Sequence, residues 1–181
     1  MSIKIDYKKE LEALRKDMMH DHVSLINFLV GKAGVKHAGI ILFESSVDSY
    51  VLTASQGETG DRIPEGFLRF EKTHPLIHIF YHKEYKYLMA GRTALLFDDI
   101  DRMIWHESFF GQNIDSREIL QNVREQMPMF NSVACVPAFY RHQLVAVLLL
   151  GSKLDNTRFE QDELDFFSAL ASNMAVAIYN T

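Results

Sequence analysis

Cysteine is almost missing: Cys135 stands alone in 181 residues. No internal disulfide can form, which fits a reducing compartment. Basic charge is also in short supply. Nineteen Lys and Arg face 24 Asp and Glu, for a net charge of -5, so the broad basic face that neutralises phosphates is not expected, and neither is a nucleic-acid partner. The basic pairs Lys8-Lys9 and Arg15-Lys16 alternate with acids and read as a solvated helix face. Long apolar runs are absent too. The longest, Leu144 to Leu150, is seven residues, against the roughly 20 that span a bilayer. The amino-terminal MSIKIDYKKELEALRKD has no apolar signal-peptide core. These absences predict a cytoplasmic protein with no direct membrane insertion. Glycine-rich phosphate loops and a regular βαβ series are missing as well, which argues against a dinucleotide fold.

What is present suits one folded unit. The chain is 48% hydrophobic and 24% charged, as in soluble globular domains, and its length predicts a single domain over 1–181. Leu11, Leu14, Met18, Leu25 and Phe28 recur near helical spacing, predicting a long helix over about 7–31, with Asp21 or His22 interrupting its seam and Gly31 and Gly34 as stop signals. HAGIILFE (37–44) and YVLTAS (50–55) predict a hairpin, with a short strand near Phe67–Phe70. Pro75 suits the first turn of a helix reaching about His82, with Thr73 as N-cap. Thr93 to Phe97 reads as extended and ends in an acidic turn, Asp98-Asp99; Ile119, Leu120 and Val123 predict a helix before Pro128. SVACVPAFY (132–140) and 143–152 predict a second hairpin turned by Arg141-His142, with Pro137 at an edge or bulge. Glu160 to Asn180 carries apolar residues on more than one side and predicts a helix that buries more than one face. The order helix, hairpin, helical insertion, hairpin, helix predicts an α+β fold on an antiparallel sheet.

Three segments carry candidate chemistry. THPLIHIFYHKEY spaces His74, His78 and His82 by four. Imidazoles four apart on a helix can share a metal ion, so His78 and His82 form a candidate pair, completed by His106 or an acid, and haem ligation by His78 or His82 belongs to the same alternative. All three cannot close on one small ion, because residues eight apart lie about 12 Å apart along a helix. The intervening Leu76, Ile77, Phe80 and Tyr81 favour a plain amphipathic helix covering the sheet or bordering a cavity. The second segment, RMIWHESFFGQN, combines Trp105, Phe109 and Phe110 with Arg102, His106 and Asn113. Apolar walls with a few orienting polar groups are the usual make-up of a ligand pocket, so these six are the pocket candidates; loop anchoring or an interface core is the other reading. Arg102 has Asp98, Asp99 and Asp101 nearby as local partners. The third, Cys135, reads as a small core residue, since no base is placed beside it. No catalytic residue is assigned, no enzyme activity is expected and no cofactor is expected.

The carboxyl end, VPAFYRHQLVAVLLLGSKLDNTRFEQDELDFFSALASNMAVAIYN, resembles the end of a GAF domain. Val136-Pro137, the strand ending Leu150-Gly151, Phe159, Asp162-Glu163 and the small-residue helix from Leu170-Ala171 through Ala175, Ala177 and Ile178 carry the likeness, which extends more loosely over nearly the whole chain. The resemblance implies a central antiparallel sheet, the terminal helices together on one face, and a cytoplasmic sensory or regulatory role in bacterial signalling. It implies a small-molecule ligand or a signal relayed by helix packing, a homodimer through the terminal helices, and an attached output domain. The chain ends directly after a helix, at Tyr179-Asn180-Thr181, as an excised domain would. Ser152, Lys153, Phe159, Asp162 and Glu163 match in part the signature of cyclic-nucleotide-binding members. Cys135 lacks the surroundings of a bilin attachment site, and a lone cysteine cannot support the methionine-sulfoxide chemistry some members perform.

Overall fold

The computed structural model describes residues 6–17, 21–60, 62–81, 93–109 and 114–180. Two helices open the chain, α1 (Tyr7–Asp17) and α2 (His22–Gly31). The single helix expected over 7–31 is therefore divided. Asp21 is extended, and its carboxylate accepts from the Val23 N–H at 3.0 Å and the Ser24 hydroxyl at 2.6 Å. A short acidic side chain competes with the helix and starts a new one instead. Lys32 and Glu10 hold the two helices together at 3.2 Å.

The hairpin β1 (His37–Glu44) and β2 (Ser49–Gly57) follows, then β3 (Arg69–Phe70) and α3 (Pro75–Tyr81). β4 (Leu95–Leu96) leads straight into α4 (Phe97–Phe109). Asp98-Asp99, expected as a turn, is the first turn of that helix, where negative charge meets the positive end of the dipole. Next come α5 (Ile114–Gln126), a 3-10 turn at Met127–Phe130, β5 (Ala134–Tyr140), β6 (Gln143–Leu150) and α6 (Gln161–Tyr179). Arg141 and His142 both have positive φ, 45° and 69°, as a two-residue hairpin turn requires.

The six strands form one antiparallel sheet in the order β3-β2-β1-β6-β5-β4. Thr53 is the extra residue of a bulge against Ile40–Ile41, and its hydroxyl donates to the Ile40 carbonyl. β4 pairs only with Ala134 and Cys135, so Pro137 lies on an open edge where its missing N–H has no ladder bond to break.

Alternation of side chains along the central strands builds two cores. Ala38, Ile40, Val136, Leu148 and Leu150 face α2 and α6. Ile41, Cys135, Val147 and Leu149 face α3, α4 and α5. In α6, Leu164, Phe167, Leu170, Ala171 and Met174 bury against the sheet, while Phe166 receives α1 through Tyr7, their rings 4.8 Å apart. The terminal helices thus share one face of an α+β sheet.

Candidate functional site

Where β1 begins beside the end of β2, His37 opposite Gly57, the sheet borders a cleft of about 510 Å³. Lys36, His37, Glu58 and Ser152 supply much of its polar lining. Phe97, Pro128 and Val133 supply an apolar wall. Backbone pairing fixes this geometry: Lys36 N–H donates to the Ser152 carbonyl at 2.8 Å, Glu58 N–H to the Lys36 carbonyl at 2.8 Å, and Phe97 N–H to the Val133 carbonyl at 2.9 Å.

His37 is the unusual member. Nε2 lies 3.2 Å from Ser55 Oγ, whereas Nδ1 is buried with no hydrogen-bond partner. Such an orphan is unfavourable in a folded interior. Burial lowers the imidazole pKa below its ordinary value. Gly151 packs against its backbone: a Cβ there would stand 2.9 Å from His37 N and 3.0 Å from Asn131 O. Gly151 is thus required for close backbone approach.

Two charges of opposite sign border the cleft. Lys36 Nζ hydrogen-bonds the neutral Asn156 Oδ1 at 2.7 Å. Neither Lys36 nor Glu58 makes an ion pair among the described residues, although their main chains are bonded across the strand ends.

The pocket candidates on α4 lie elsewhere. Ile100, Met103 and Glu107 are buried, and Arg102, Trp105 and His106 stand on the outward face. The Arg102 guanidinium pairs with Asp99. Trp105 is 57% exposed, and His106 Nδ1 lies 3.8 Å from Glu107 Oε1. Phe109 ends the helix; Phe110 and Asn113 lie outside the described residues. The structure therefore brings Arg102, Trp105 and His106 onto one exposed stripe that does not line the cleft.

The histidine ladder resolves into unlike parts. His74, rather than Thr73, caps α3: its carbonyl accepts the His78 N–H at 2.7 Å, and its Nδ1 accepts the Leu76 N–H at 3.3 Å. Its ring lies edge-on to Phe70 at 4.8 Å and to Phe130 at 6.2 Å. Burial depresses its pKa, partly offset by a hydrogen bond to Gln126. His78 is exposed, and His82 lies outside the described residues. Among the described residues, no group of three or more His, Cys, Asp or Glu could hold a metal ion. Cys135 is fully buried in the second core, and that burial pushes its thiol up to about 12, far from a thiolate nucleophile.

The residues that matched the nucleotide signature in part close on one another. Lys153 Nζ lies 2.8 Å from Glu163 Oε1, both side chains mostly buried, and Glu163 Oε2 accepts the Glu160 N–H at 2.7 Å. One carboxylate therefore caps α6 and ties it to the exit of β6. Phe159 packs edge-on against Phe167 at 5.6 Å.

A six-stranded antiparallel sheet with both terminal helices on one face and a helical insertion on the other defines the class. The sequence matches the GAF domain family over residues 8–178, and the chain belongs to that family. GAF domains generally act as sensory and regulatory modules in signal transduction and are typically non-catalytic. Similar solved structures include the GAF domain of an Acinetobacter phosphoenolpyruvate-protein phosphotransferase, 16% identical with a TM-score of 0.60, covering 98% of this chain and 95% of that one. The corresponding domain of the Coxiella burnetii phosphotransferase is 14% identical with a TM-score of 0.60, covering 99% and 96%. Residues 122 to 287 of a methyl-accepting chemotaxis protein are 12% identical with a TM-score of 0.58, covering 97% and 96%. At these identities the likeness establishes the fold. No curated protein sequence matches the chain. Among the described residues, no helix is long and apolar enough to cross a membrane.

Sequence reasoning missed Lys36, His37 and Glu58. The one available signal was a charged residue flanking each strand of the first hairpin, and nothing in the sequence said that the two would stay unpaired.

Proposed function

We propose that this chain is a non-catalytic sensory domain that binds a small molecule in the strand-end cleft and relays occupancy through the packing of its terminal helices to an attached output module. The observation that carries this reading is the cleft itself, with an orphaned imidazole nitrogen among its lining residues. Its position supports the relay. His37 opens β1 and Ser152 follows β6, and these strands also carry the core under α2 and α6. A ligand that binds two packings of those helices unequally shifts their balance.

The test is a metabolite screen by thermal shift, with native mass spectrometry of the hits. The expected result is a stoichiometric non-covalent adduct that raises Tm and moves the His37 ring resonances. A hit that changes Trp105 fluorescence and leaves His37 unmoved would transfer the ligand to the α4 stripe of Arg102, Trp105 and His106; Trp105 is the sole tryptophan. A screen without any adduct would overturn the sensory reading.

Homodimerisation through the terminal helices is the second reading, favoured by Val176 and Tyr179, 46% and 51% exposed on α6. Sedimentation that shows a monomer throughout the micromolar range would overturn it.

A further inference from the structure

We infer that the strand-end cleft takes a small zwitterion, an α-amino acid; this rests on the cleft being the ligand site. Opposite charges directly across two strands stabilise each other when they pair. Here Lys36 turns to the neutral Asn156, and Glu58 has no cation among the described residues. The cleft therefore offers one ammonium bonded to a neutral amide and one exposed carboxylate outside any ion pair among the described residues, the two signs that a zwitterion matches. A ligand carboxylate meets Lys36 and a ligand ammonium meets Glu58. Charge-assisted hydrogen bonds of this kind are stronger than neutral ones.

Two further features of the cleft bear on the ligand and its detection. Phe97, Pro128 and Val133 present apolar surface for a side chain, and about 510 Å³ is roomy enough for a small metabolite and bridging water. In the tautomer that donates Nε2–H to Ser55 Oγ, His37 Nδ1 is a bare acceptor with no donor. His37 also lines the cleft, so its ring signals report on occupancy. A simple anion would leave Glu58 without a cation, and a simple cation would face Lys36.

The experiment is titration of the whole chain with the standard free α-amino acids one at a time, read by Tm and by ¹⁵N-histidine spectra. At least one is expected to raise Tm and move the His37 ring signals. Its amide, which lacks the carboxylate, and its deamino analogue, which lacks the ammonium, are expected to bind about ten-fold or more weakly. Lys36→Met and Glu58→Gln should each produce a comparable loss. If a variant does not fold, the two analogues on the unaltered chain still decide the matter. Unchanged binding of both analogues, or no response to any amino acid, overturns the zwitterion. A neutral or singly charged metabolite that moves His37 while every amino acid fails would overturn the ligand class and leave the sensory cleft standing. An amino acid that moves Trp105 fluorescence alone would overturn the assignment to this cleft.

Discussion

At the scale of single residues, burial decides what each polar group can do. Gly151 has no room for a Cβ, and the atoms it would strike include backbone, which cannot step aside. Gly151→Ala is expected to destabilise the fold by about 1–3 kcal/mol, the range for overpacking a close contact, read by urea denaturation. His22, His37 and His74 all have pKa values lowered first by burial. The unfolded chain then holds protons on these rings more tightly than the folded one. Their contribution to stability is complete above the unfolded value of about 6.5 and is lost as pH falls through the lowered folded values. Urea midpoints measured from pH 7.5 down to about 5 should fall, and a His74→Gln variant should flatten part of that slope. Tyr50 is fully buried and donates to the Leu144 carbonyl at 2.8 Å, with the Tyr81 hydroxyl bonded to it as well. Burial and the Tyr81 hydrogen bond hold its phenol well above the ordinary value, so it stays neutral and serves the fold.

At the scale of elements, the junction of β6 and α6 depends on one carboxylate. Glu163 caps the helix and pairs with a mostly buried ammonium. Desolvation pulls the Lys153 pKa down, but the hydrogen bond and charge of Glu163 outweigh it and hold it raised. Removing one member strands the other in a poorly solvated site. Lys153→Met is therefore expected to cost about 3 kcal/mol, and the double variant Lys153→Met with Glu163→Leu less than the sum of the single changes. Equal additivity in a chemical-denaturation cycle would show that the pair is not coupled. Element boundaries show the same competition between local and distant preferences. The apolar spacing over 7–31 reads as one helix, yet Asp21 caps a second; Asp98-Asp99 reads as a turn, yet the pair starts α4. Short polar side chains serve turns and helix starts alike, and spacing alone does not choose between them.

At the scale of the whole molecule, β1 and β6 lie at the centre of the sheet with a core on each face. The amides of Ile40, Ile41, Val147 and Leu148, all fully buried residues, should exchange only through global unfolding. Hydrogen exchange by mass spectrometry checks this; faster exchange there than in α2 would contradict the two-core arrangement. If cleft occupancy is relayed as proposed, a bound ligand should slow exchange in α6 as well as at the strand ends.

Local chemistry in the chain determined much of this architecture. Strand alternation, the Arg141-His142 turn, the apolar faces of the last helix and the family pattern from Val136 to Ile178 each act over a few residues, so a linear reading detects them. The cleft was decided only by the tertiary structure. Lys36 and Asn156 are 120 positions apart, and His37 meets Gly151 only because β1 and β6 pair. Whether a charge is neutralised, or an imidazole nitrogen left without a partner, depends on neighbours that sequence spacing does not specify. For the same reason the stripe of Arg102, Trp105 and His106 was visible in the sequence as a set, while its outward orientation came from the burial of Ile100, Met103 and Glu107 on the opposite side of α4.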